Sequence, residues 1–196
     1  MSSAASPAPA PSPRKPSAAR ARLLAAASRL FYAEGIHSVG VDRVISEAEV
    51  TRATFYRHFP GKEDLVLEYI REQDLATRAQ VEEAAEATSD PAQQLAAIVE
   101  GVAQRLTAAD FRGCPYINIA AEYPDRKSRV RQAVDEHRAW FRSTVLELLT
   151  ASGHPDPDYA TDLLVTLRDG GQVAAYLGDA SAARTNFLRS AAAVFA

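Results

Sequence analysis

From Ala18 onward the apolar residues recur three or four positions apart, and no run of alternating β-branched residues would make a strand. This pattern predicts an all-α protein of about nine helices. Leu23, Ala27, Leu30 and Phe31 form the first stripe, and Gly35 supplies its stop. A short helix over 41–48 presents Val41, Val44, Ile45 and Ala48 on one face. Thr51 caps a second short helix that ends near His58, because Pro60-Gly61 cannot continue it. Lys62 then opens a long helix to about Ala87 with Leu65, Val66, Tyr69 and Ile70 inward. Glu63 and Asp64 lie in its first turn, where the helix dipole favours anions.

Further along, Asp90-Pro91 starts a helix that runs to about Ala109, with proline at the favoured first position. Phe111–Pro115 breaks the chain, and Tyr116–Tyr123 makes a short helix. Helices over Ser128–Ala151, Asp158–Leu177 and Ser181–Phe195 complete the pattern. Gly170-Gly171 inside the penultimate helix lowers its stability relative to alanine. The pair implies a close helix approach, a kink beside a cavity or a break. Residues 1–17 hold five of the eleven prolines among Ala and Ser, a composition expected to form a disordered or polyproline-like tail.

Composition narrows the class without naming it. At 47% hydrophobic and 24% charged the chain can bury a core, and nothing reaches the length of apolar run that a membrane helix needs. The start lacks the basic patch and apolar stretch of a signal peptide, and Cys114 is the single cysteine, so a reducing cytoplasm is expected. Charge is more informative. Residues 1–62 carry nine Lys/Arg against four Asp/Glu, whereas 63–196 carry thirteen against twenty-one. A basic block on an acidic body points to a polyanion partner for the block alone.

The chemistry sits in TRATFYRHFPGKEDL, Thr51 to Leu65. Two short helices joined by a tight turn fit a helix-turn-helix, whose second helix enters the major groove where base edges are readable. Thr51, Arg52 and Thr54 lie on the first turn of that helix, nearest the bases. Tyr56, His58 and Lys62 offer polar tips suited to phosphate oxygens, and Arg57 is an auxiliary cation. Val50, Ala53 and Phe59 are read as inward anchors.

The ordered set Thr-x-x-Thr-Phe-Tyr-x-His-Phe-x-x-Lys-Glu-Asp-Leu, following a helix of about twenty residues, resembles the DNA-binding domain of TetR-type (tetracycline-repressor-like) transcriptional regulators over residues 18–70. The resemblance implies a DNA-binding domain over 18–64 and a helical effector-binding and dimerisation domain over 65–196. It makes Thr51 the recognition-helix cap and sets Arg52, Ala53 and Thr54 toward bases or phosphates, against the inward reading of Ala53. Tyr56 and His58 would hold phosphate, and Lys62 would anchor the edge of the site. Two residues depart from the family pattern. Glu49 stands where the family has glycine in the turn, so either the residue is strained or the turn is rearranged. Gly40 removes a capping hydroxyl.

For the body, Phe111, Cys114, Tyr116, Asn118, Tyr123, Trp140 and Tyr176 are the candidate pocket residues for a small apolar or amphipathic effector. The last two helices would pair two subunits through Leu163, Leu167, Ala174 and Leu177 together with Phe187, Leu188, Ala191 and Phe195. The expected function is a ligand-responsive regulator, a repressor released from a near-palindromic operator. Two alternatives stay open: a sensor working through oxidation of Cys114, and a helical carrier or interaction protein without DNA binding. No phosphate loop, nucleophile motif or ligand-spaced histidine suggests an enzyme, cofactor or metal.

Overall fold

The computed structural model describes residues 17–195. Among these the chain forms nine helices and no strand: α1 Ala18–Glu34, α2 Val41–Glu47, α3 Arg52–His58, α4 Lys62–Ala87, α5 Pro91–Leu106, α6 Pro115–Glu122, α7 Arg129–Ala151, α8 Pro157–Leu177 and α9 Ala180–Val194. The capping logic holds at most starts. Thr51, Asp90, Ser128, Asp156 and Asp179 each accept a backbone N–H of the helix they precede, and Pro91, Pro115 and Pro157 occupy first positions. α5 ends at Leu106, about three residues short of the expectation, because Thr107 and Ala108 turn back on Gln104 and Arg105.

The expected tail over 1–17 falls outside the described residues except for Ser17. That residue caps α1, accepting from the Arg20 N–H, so it belongs to the helix and not to a tail. The turn between α2 and α3 is not rearranged either. Glu49 holds φ +50°, the one positive value at a non-glycine among the described residues. Gly40 precedes α2 in extended backbone with no side-chain cap, as its missing hydroxyl requires.

Two apolar clusters organise the packing. The first gathers Leu23, Leu30, Phe31, Val44, Phe55, Phe59, Leu65 and Tyr69, and also reaches Cys114 just before α6, Tyr116 and Ile119 of α6, and Val130 and Val134 of α7. The second joins Leu95, Phe141, Leu149, Leu164, Phe187 and Ala191 from α5, α7, α8 and α9. The α6 segment therefore belongs to the core of the N-terminal helices as well as to the body. α8 passes through Gly170-Gly171 without a break. A Cβ on Gly171 would lie 3.4 Å from the Phe187 ring side chain of α9, so of the three readings the close approach is the one the structure supports.

Candidate DNA-binding surface and effector cavity

Phe55 and Phe59, four apart, turn one face of α3 into the core, where both are buried. Geometry then decides the rest of the helix. Thr51, Arg52, Ala53, Tyr56 and Arg57 are exposed, while Thr54, His58 and Lys62 are half-buried. Ala53 is thus not an inward anchor. Two residues from Phe55 along the helix, it faces away from the core. Val50 does pack against the cluster, at its edge.

The exposed groups are already engaged. The Arg52 guanidinium donates to both Asp42 carboxylate oxygens, at 2.6 and 2.8 Å, a bond that raises its pKa further. Thr51 accepts the Thr54 N–H, and the two hydroxyls lie 2.9 Å apart. His58 shares a 2.9 Å hydrogen bond with Ser17. Arg22 donates to the Ala48 carbonyl at the end of α2, and Arg29 pairs with Glu47. Asp42 and Ser17 were not among the residues singled out from the sequence, since nothing in their local spacing links them to α3; Arg22, read from the sequence as able to touch phosphate, bonds the Ala48 carbonyl instead.

In the body, a cavity of about 190 Å³ lies among α4, α5, α6, α7 and α8. Clefts of about 610 and 400 Å³ adjoin it, sharing Arg105 and Phe111 with one and Val102 and Phe141 with the other. Of the seven expected pocket residues, Phe111, Cys114 and Tyr116 line the cavity. The other four do not. Asn118 turns back to donate to the Arg112 carbonyl, Tyr123 lies tilted against the His37 ring, Trp140 lies under the Arg78 guanidinium, and Tyr176 is half exposed beside Gly113 and the Arg112 guanidinium. The cavity's polar residues were not foreseen: Arg168, Gln172, Gln73, Thr77, Gln80 and Arg105, the last paired with Asp110, contributed by helix faces that read as ordinary polar positions.

Beside the cavity, the Tyr116 ring stacks on His137 at 3.6 Å. His137 is buried and held by Asp74 at 2.7 Å. Burial pushes its pKa down to about 4 although the Asp74 hydrogen bond acts the other way. The ring is therefore neutral near pH 7, donating from Nδ1 to the Asp74 carboxylate, with Nε2 buried and unpartnered.

α6 also grips the N-terminal helices. Glu122 at its end accepts the Ile36 and His37 N–H groups, at 2.8 and 2.6 Å, in the loop after α1. At its other end the Tyr32 hydroxyl of α1 donates to the Gly113 carbonyl and accepts from the Arg112 N–H. Cavity wall and helix-turn-helix are joined by one eight-residue helix.

These features agree with the comparisons. Residues 23–69 match the family model for bacterial regulatory proteins of the tetR family, and 91–190 match the tetracyclin repressor-like C-terminal domain. The chain is 30% identical over 136 residues to the HTH-type transcriptional regulator LmrA of Bacillus subtilis, covering 68% of this chain and 72% of that one. The crystal structure of SCO4454, a TetR-family transcriptional regulator from Streptomyces coelicolor, superposes with TM-score 0.88 at 46% identity, covering 91% of this chain and 94% of that one. The sav143 protein of Streptomyces avermitilis gives 0.73 at 25%, over 89% and 98%. A helix-turn-helix on a helical body with an internal cavity defines a ligand-responsive, DNA-binding transcriptional regulator. The chain belongs to the TetR family.

Proposed function

We propose that this regulator is a repressor that docks α3 in the major groove of a near-palindromic operator as a homodimer, and is released by an amphipathic effector bound among α4, α5, α6 and α8. The observation that carries the release mechanism is the pair of hydrogen bonds that Glu122 accepts from the loop between α1 and α2, because it ties the cavity wall to the reading head. A ligand that shifts α6 moves that loop and with it α3, and favours a dimer whose two heads no longer match successive grooves.

On the DNA side, Arg52 exchanges Asp42 for a base edge, with Thr51, Ala53 and Thr54 beside it. Tyr56, Arg57, His58 and Lys62 hold phosphate. The two subunits meet through the outer stripe of α8, where Leu163, Leu167, Gly170, Ala174 and Leu177 share one face, none of them buried. On α9 the matching face holds Leu188 and Phe195. Phe187 and Ala191, expected there from the sequence, are instead buried against α5, α7 and α8, one position round the helix.

The test is binding to the DNA upstream of the protein's own gene, followed by fluorescence anisotropy across a salt series. Affinity is expected to fall steeply with salt as phosphate contacts release counterions. Arg52→Ala should flatten the preference among single-base operator variants, and Lys62→Ala should weaken all of them alike. Equal effects of the two substitutions would refute the assignment of roles.

A further inference from the structure

Arg168 is 7% exposed and its guanidinium lies 4.3 Å over the Phe141 ring, on the wall of the 190 Å³ cavity. Among the described residues no carboxylate reaches it. Those on the surrounding helices are committed elsewhere: Asp74 to Arg78 and His137, Glu100 to Arg184, Asp162 to Arg142, and Asp169 to Arg138. Nor does any hydrogen bond from Arg168 to another side chain or carbonyl compensate. A largely buried cation without a protein partner is unfavourable, and a guanidinium held on a ring-lined wall without one is poised for an anion that the folded chain itself does not supply. Two further groups converge on the same cavity. Tyr116 and Gln172 both line it: the Tyr116 hydroxyl is buried beside Thr77, and Gln172, one helical turn from Arg168, is 8% exposed.

We propose that this cavity takes an organic acid, its anionic head held by the Arg168 guanidinium with Tyr116 and Gln172 as further hydrogen-bond partners. The fork of guanidinium donors matches a carboxylate in two parallel bonds. Leu106, Phe111 and Phe141 supply the apolar wall, and the 610 Å³ cleft that shares Phe111 and Gln172 extends beneath Tyr32 of α1 to receive the body of the molecule. This narrows the effector from any amphipath to an amphipathic anion, and it rests on the effector reading above. It also gives the ligand a route to the head, because Tyr116 stands on α6, whose far end is Glu122.

The experiment uses the full chain and matched probes that share one body: decanoate, decanol, decylamine and decyl phosphate, with 2-naphthoate and 2-naphthamide as a rigid pair. Binding is read by calorimetry and thermal shift on wild type, Arg168→Met and Arg168→Gln. At least one carboxylate should bind wild type tenfold or more tightly than its neutral counterpart, and both variants should erase that preference. Unliganded Arg168→Met should melt at a higher temperature than wild type, since it removes the unpartnered cation. Decyl phosphate binding as well as decanoate supports the anion site and shows that the head need not be planar. The proposal is overturned if neutral or amine probes bind as tightly as the acids, if the variants keep the preference, or if neither carboxylate binds wild type at millimolar concentration. Acids that bind without releasing DNA would refute the effector reading while leaving the anion site in place.

Discussion

Glu49 stands in the left-handed region that a residue with a Cβ enters at a cost of about 1–2 kcal/mol. The turn is fixed before it by Val44 and Ala48 in the core and Arg22 bonded to the Ala48 carbonyl, and after it by Val50 packed at the edge of the core, so the backbone keeps this conformation despite the cost. Glu49→Gly should raise the melting temperature by about 2–4 °C in thermal unfolding. His137 sets a second residue-scale expectation. Its folded pKa of about 4 lies below the ordinary histidine value, so its neutral form stabilises the fold above about pH 6.5. That stability should drain away as pH falls from 6.5 towards 4, by about 2–3 kcal/mol. Below that range Asp74, whose carboxyl is held under its usual value by Arg78 and His137 against burial, adds a further loss. His137→Asn, which keeps a donor for Asp74, should flatten the slope in denaturant titrations between pH 4 and 7; an unchanged slope would remove His137 as its source.

At the scale of elements, α6 is short and yet carries the contacts on which the proposed release mechanism rests. Its end residue satisfies two N–H groups of the loop between α1 and α2. In Glu122→Gln the amide has one oxygen for two donors, so one N–H faces an NH₂ group. The variant should lose about 1–3 kcal/mol of stability. Its operator affinity should also respond less to effector than that of wild type, measured as the ratio of Kd values with and without ligand. A full stability loss with an intact ratio would make Glu122 a structural cap only. α8 divides its two faces just as sharply: Gly171 admits Phe187 of α9 on the inner side, and Gly170 meets nothing within 4 Å on the outer side.

For the whole molecule, the outer stripe of α8 leaves Leu177 77% exposed, with Tyr159, Val173 and Tyr176 also exposed nearby. Apolar area of this kind along one helix suits an isologous pairing, which buries it against itself. Leu177→Glu should shift the protein towards monomer in sedimentation velocity, and affinity for a two-half-site operator should fall much more than affinity for a single half-site. A dimer that survives Leu177→Glu and Leu167→Glu together would move the interface elsewhere. In the proposed mechanism that dimer turns a small tilt of each head into a spacing error across two grooves, so loss of dimerisation should also abolish effector release.

Local pattern and spacing determined much of this protein. The helix count, the cap at Thr51, the glycine stop at Gly35 and the outward Tyr56 and Arg57 follow from periodicity and chain chemistry, which act over a few residues. The TetR signature is legible for the same reason: it is one continuous stretch. Tertiary structure decided what depends on rotation and distance. It turned Phe187 and Ala191 inward although α9 is small-residue-rich all round, and it turned Ala53 outward. It also removed Asn118, Tyr123, Trp140 and Tyr176 from the cavity and placed Arg168 there, 54 residues beyond Cys114 in the chain yet on the same wall. A helical period says that a polar residue lies off the main stripe; it does not say whether that flank meets water or a neighbouring helix. Only the packing of five helices around one space reveals that a lone arginine is buried there with its charge unanswered.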